Sequence, residues 1–128
     1  MSVQLEKLQQ FNTFYSNKQI SNIGAEMYDK LGVIAPIIAM EELAELQKAI
    51  SKWVRFNTSC IKPDDLSRGT NYLNLVEEMA DVTIILEMVK HMGNVSTADL
   101  NQMIAYKVNR LEHKLADGSM TNNAIAKI

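Results

Sequence analysis

The chain has 128 residues, 47% hydrophobic and 22% charged, the profile of one globular domain with a single core. A formal charge of −2 gives no electrostatic basis for binding nucleic acid, and the single cysteine, Cys60, excludes an internal disulfide or a CxxC zinc site. No leader pattern opens the sequence and no apolar run is long enough to span a bilayer, so a cytoplasmic, non-membrane protein is expected.

Gly (5) and Pro (2) are scarce and Met (8) is plentiful, which favours helices over strands. A first helix is predicted over about Val3 to Tyr15, from the helical spacing of Leu5, Leu8, Phe11 and Tyr15. "SNKQISN" reads as a polar link, with helix resuming near Ile23. A long helix is predicted from about Val33 to Phe56, with Pro36 in its first turn. "NTSCIKPDDLSRGT" reads as a loop, because turn formers are dense and no apolar period runs through it. Another helix is predicted from about Asn71 to Met92, stopped by Gly93. The last runs from an N-cap at Ser96 to about Ala116, with Asp117-Gly118 ending it and a loosely ordered tail beyond. The expected fold is all-α and four-helix-bundle-like, a single domain with its core over about residues 23–116.

Two acidic stretches stand out. At ~100° per residue, Glu42 in "EELAE" falls among Ala35, Ala39, Leu46, Ala49, Ile50 and Trp53, with Glu45 at the margin and Glu41 outward. In "EEMAD", Glu78 falls among Leu75, Met79, Val82, Ile85, Leu86 and Val89, with Asp81 at the margin and Glu77 farther out. Residues three apart share a helix face. If these helices pack antiparallel, Glu42, Glu45, Glu78 and Asp81 converge. Buried carboxylates repel and take up protons unless something offsets them. A hard divalent cation does so, and oxygen-only ligands suit Mg²⁺ or Mn²⁺. A Glu-rich helix is more often simply a solvated face, but two acidic clusters, each with a Glu inside the apolar arc, argue for the metal.

Cations that could meet a polyphosphate are Lys107 and Arg110 on the last helix, Lys52 and Arg55 near the end of the second, and Arg68 in the loop. Trp53, the only tryptophan, is a candidate for substrate contact or core. His91 follows Glu87 by four, not by the three of di-iron bundles. No P-loop, GxGxxG or GxSxG pattern occurs.

The order EExxE then ExxD, here "EELAE" and "EEMAD", resembles the MazG-like family of all-α nucleoside triphosphate pyrophosphohydrolases. The likeness spans roughly Met27 to Leu115 and takes in "YDKLG" and "KVNRLEHKL". It implies Glu42, Glu45, Glu78 and Asp81 as ligands of Mg²⁺, and Lys107 with Arg110 as phosphate-binding cations. It also implies a homodimer or homotetramer that cleaves a nucleoside triphosphate between the α and β phosphates. Apart from the resemblance, Glu41 or Glu77 is a candidate acceptor for the proton of an attacking water, although the outward wheel position of each reads more simply as a solvated carboxylate. The segment "RFNTSCIKPDDLSRGTNYLN" between the acidic motifs is longer than the family pattern, which leaves loop-borne contacts unassigned. The base is unspecified: dUTP, dCTP and phosphoribosyl-ATP are rival substrates, and a non-catalytic helical module binding nucleotide or a partner is the alternative from another class.

Overall fold

A computed structural model describes residues 8, 10, 11, 13–58 and 65–120, and its described residues are all-α, as the composition predicts. The chain divides into two compact units, Met1–Gly93 and Asn94–Ile128. The first holds α1 (Asn17–Leu31), a 3-10 turn (Gly32–Ile34), α2 (Ala35–Thr58) and α3 (Asp65–Met92). The second holds α4 (Thr97–Asp117). No described helix is long and apolar enough to cross a membrane.

Several boundaries differ from the sequence expectation. Thr13–Ser16 is not helical, so the first predicted helix does not reach Tyr15; most of its span lies outside the described residues. The polar link is instead the start of α1. Ser16 Oγ accepts from Gln19 N–H at 3.1 Å while Gln19 Oε1 accepts from Ser16 N–H at 2.8 Å, a reciprocal cap written as S-x-x-Q. The loop predicted before Asn71 is also shorter than expected. α2 continues through Thr58 and α3 begins at Asp65, so Arg68 lies in a helix, while Cys60 falls outside the described residues. Asp, Ser and Gly in "DDLSRGT" mimic a loop in composition, yet each is tolerated near a helix start.

α1 stops at Gly32, whose φ of 55° and ψ of −123° suit a residue without Cβ. The chain turns once and re-enters helix at Ala35, leaving Pro36 in the first turn, where an N–H would have no intrahelical partner. α3 is the hub of this unit. It packs along both α1 and α2, which touch each other little. Ala35, Ala39, Ile85 and Met88 form the core, flanked by Met27, Tyr28, Leu31, Ile38, Val89 and Met92. α1 approaches α3 so closely at Gly24 that a Cβ there would lie 2.7 Å from the Glu87 carbonyl carbon and the Met88 nitrogen.

One polar tie joins the same two helices. His91 Nε2 lies 3.1 Å from the Ser21 carbonyl oxygen and 3.3 Å from Ser21 Oγ. A carbonyl only accepts, so this bond requires the proton on Nε2. Nearby, Lys90 Nζ stands 3.2 Å from Glu87 Oε2, an ion pair whose alignment falls short of a hydrogen bond.

α3 ends at Met92, but Gly93 does not take the left-handed conformation; Asn94 does, at φ 51°. Asn is the residue that tolerates this region best after Gly. In the second unit Asp99 N–H donates to Ser96 Oγ at 3.0 Å, and Gly118 closes α4 at φ 73°, both as predicted. The tail from 121 onward lies outside the described residues.

Candidate metal centre

The acidic residues take their places from the helix periods. Glu42 follows Ala35 by seven and Ala39 by three, so it shares their inward face and is half-buried. Glu78 precedes Val82 by four and Ile85 by seven, both buried. It is the one buried charged side chain among the described residues, 9% exposed. Asp81 lies three residues on and is half-buried. Because α2 and α3 pack along one another, these faces meet. One carboxylate oxygen from each of Glu42, Glu78 and Asp81 lies within 4.8 Å of the others.

Such crowding has an electrostatic signature. The Glu42 carboxyl is pushed above its ordinary range by burial first, then by the charges of Asp81, Glu45 and Glu41. Glu78 is pushed up by burial first, then by Asp81, Glu42, Glu45 and Glu77. Glu78 Oε2 is buried and has no hydrogen-bond partner. An unpaired buried acceptor costs about 1–3 kcal/mol, more when charged. The cluster offers only hard oxygen donors, with no thiol or imidazole among them, which fits Mg²⁺ or Mn²⁺ better than softer ions.

The predicted quartet therefore resolves into three plus one. Glu45 is exposed, outside the tight group, and 3.7 Å from Lys48 Nζ, although its charge reaches both Glu42 and Glu78. Glu41 is exposed on the outer side of α2, and its described effect is to raise Glu42. Lys52, Trp53 and Arg55 all lie on exposed positions of α2. On α4, taken by itself, Lys107 is half-buried, and the Arg110 guanidinium sits over the Tyr106 ring, 5.7 Å from its centroid.

Glu77 is where the helical wheel misleads. Its outward angle predicts a solvated carboxylate, yet the side chain is half-buried and Oε2 is buried without a hydrogen-bond partner. It lines a pocket of about 250 Å³ together with Leu8, Leu73, Val76, Ala80 and Asp81. The signal was present in the spacing: Leu73, Val76, Glu77, Ala80 and Asp81 form a second stripe at 3-1-3-1 intervals beside the main apolar arc. A wheel drawn for one buried face does not show that another segment covers an adjacent face.

No protein-family model, curated protein or solved structure matches the chain.

Proposed function

We propose that this chain is a Mg²⁺-dependent nucleoside triphosphate pyrophosphohydrolase, releasing nucleoside monophosphate and pyrophosphate. The observation that carries this reading is the triad Glu42, Glu78 and Asp81, drawn from two helices to within 4.8 Å, with an unpartnered buried oxygen on Glu78. Three carboxylates held so closely favour a state in which positive charge sits among them. When bound, a divalent cation supplies Lewis acidity toward phosphoryl oxygens and lowers the pKa of coordinated water.

The chain's own residues divide the remaining work. Glu42, Glu78 and Asp81 are the metal ligands, and Glu45 adds negative potential at the margin of the cluster. Lys52 and Arg55 on α2 are cations for phosphate oxygens by their charge alone, and Lys107 and Arg110, on α4 taken by itself, have the phosphate-binding role that the resemblance in sequence implies. The extensive α2–α3 contact orients the carboxylates before any ion binds. A homo-oligomer is part of the reading. Met40, Leu43, Gln47, Ile50 and Val54 follow 3-4-3-4 spacing along α2, and the four apolar members are exposed.

A panel of ribo- and deoxyribonucleoside triphosphates with Mg²⁺, read by pyrophosphate release, tests the reading. Glu42→Gln and Glu78→Gln are expected to abolish release while far-UV circular dichroism stays unchanged. Wild-type rates in either variant, or nucleotide binding without any product, contradict it.

A further inference from the structure

The pocket beside Asp81 has an order to its lining. Along α3, Glu77 precedes Asp81 by four residues and Leu73 precedes it by eight, displacements of about 6 and 12 Å at the helical rise of 1.5 Å per residue. One end is therefore Asp81, a member of the acidic triad. One turn away is a carboxylate with a buried, unpartnered oxygen. Beyond it lie Leu73 and Val76, with Leu8 contributed by the N-terminal segment and small Ala80 opening the wall. A nucleotide presents the same order of chemistry: phosphate, then sugar hydroxyls, then the flat apolar faces of a base. At about 250 Å³ the pocket is slightly below the ~300–1,000 Å³ typical of drug-sized ligands, so it suits the nucleoside part alone.

We propose that this pocket is the nucleoside subsite and that Glu77 accepts a hydrogen bond there from a sugar hydroxyl. The assignment deepens the nucleotide reading above and rests on it for the identity of the ligand. A carboxylate is acceptor-only, so it selects a donor. The sugar hydroxyls are the donors nearest the phosphate, and Glu77 is the acceptor nearest Asp81 in the pocket wall. Leu73, Val76 and Leu8 contribute apolar contact without reading the base edge, so discrimination falls on the sugar more than on the base. A site built around a hydroxyl rejects the analogue that lacks it, because its own acceptor is left unpaired.

The test uses the full chain with labelled leucine methyls, titrated without metal with cytidine, 2′-deoxycytidine and 2′,3′-dideoxycytidine. The Leu8 and Leu73 methyl resonances are expected to shift on addition of cytidine. The dideoxynucleoside is expected to bind about tenfold more weakly than the best of the three, the size of one hydrogen bond to a charged group. In Glu77→Met, which keeps side-chain volume but removes the acceptor, the three bind alike; Glu77→Gln, which keeps one acceptor oxygen, retains part of the difference. Absence of Leu8 and Leu73 shifts, or a hydroxyl preference that survives in folded Glu77→Met, overturns the assignment. Methyl shifts that follow protein concentration with no nucleoside present would mark the pocket as a contact between copies and also overturn it. The outcomes separate from those of the parent reading. Pyrophosphate release without methyl shifts removes the subsite alone, whereas Glu77-dependent nucleoside binding with no triphosphate hydrolysed keeps the subsite and removes the activity.

Discussion

α3 behaves as two helices joined end to end. Its C-terminal half, carrying Ile85, Met88, Val89 and Met92, packs in a mainly apolar contact with α1 and the start of α2. Its middle carries Glu78 and Asp81 against Glu42 of α2, where like charges crowd and an oxygen is left without a partner. The same two periods of the same helix thus serve opposite ends. One region lowers the free energy of the fold; the other spends part of that stability to hold groups in an arrangement they would not choose alone. Stability is concentrated where no chemistry is proposed, and the proposed chemistry sits where the fold is electrostatically unfavourable.

Breaking the apolar half should have the largest effect. Met88 is fully buried, and Met88→Ala should cost about 3 kcal/mol in denaturant unfolding, the usual size of a large-to-small core change. Gly24→Ala comes next, at about 2 kcal/mol. The new methyl would meet backbone atoms of α3 at 2.7 Å, and backbone cannot rotate away as a side chain would, so the clash outweighs the helix propensity gained.

The acidic half should respond in the opposite direction. Without divalent metal, Glu78→Gln should raise the melting temperature at neutral pH, by less than either core variant lowers it. The pH dependence follows from the same cause. Burial and neighbouring negative charge push the Glu42 and Glu78 carboxyls above the ordinary carboxylate range, so the folded state binds their protons more tightly than the unfolded state does. Their contribution is fully favourable below the unfolded value and is lost as pH rises through the raised folded values. Metal-free protein should therefore lose stability over that interval, and Glu42→Gln with Glu78→Gln should flatten the loss. A melting temperature that climbs there because of these two groups would contradict the assignment of like-charge crowding. The smallest effect belongs to Lys48→Ala. Lys48 and Glu45 are more than half exposed, and their pair at 3.7 Å should contribute under about 0.5 kcal/mol.

The sequence read well where one period dominates. Glu42 and Glu78 stood out because each interrupts an apolar stripe, and the helices meet with those stripes facing. The ends of α4 were legible from Ser96 and Gly118, whose capping roles are local. What failed was a local cap hidden by polar composition, and whatever depended on how far round a helix a side chain sits or on which distant segments cover it. "SNKQ" looks like a polar link in composition, but its Ser and Gln cap one another and start α1. Glu45 shares a face with Glu42, yet it sits far enough round the helix to stand beside Lys48 rather than join the triad. Glu77 and the full burial of Met88 depend on which segments cover α3, and no wheel for a single helix carries that information.

The central claim is that Glu42, Glu78 and Asp81 hold a hard divalent ion, and thermal unfolding with increasing Mg²⁺ tests it most directly. Wild type and Lys48→Ala should both gain stability by mass action, about 2.7 kcal/mol at a hundredfold excess over Kd, while Glu78→Gln should gain little. A Mg²⁺ response that is absent from wild type, or equal in Glu78→Gln, would contradict the account.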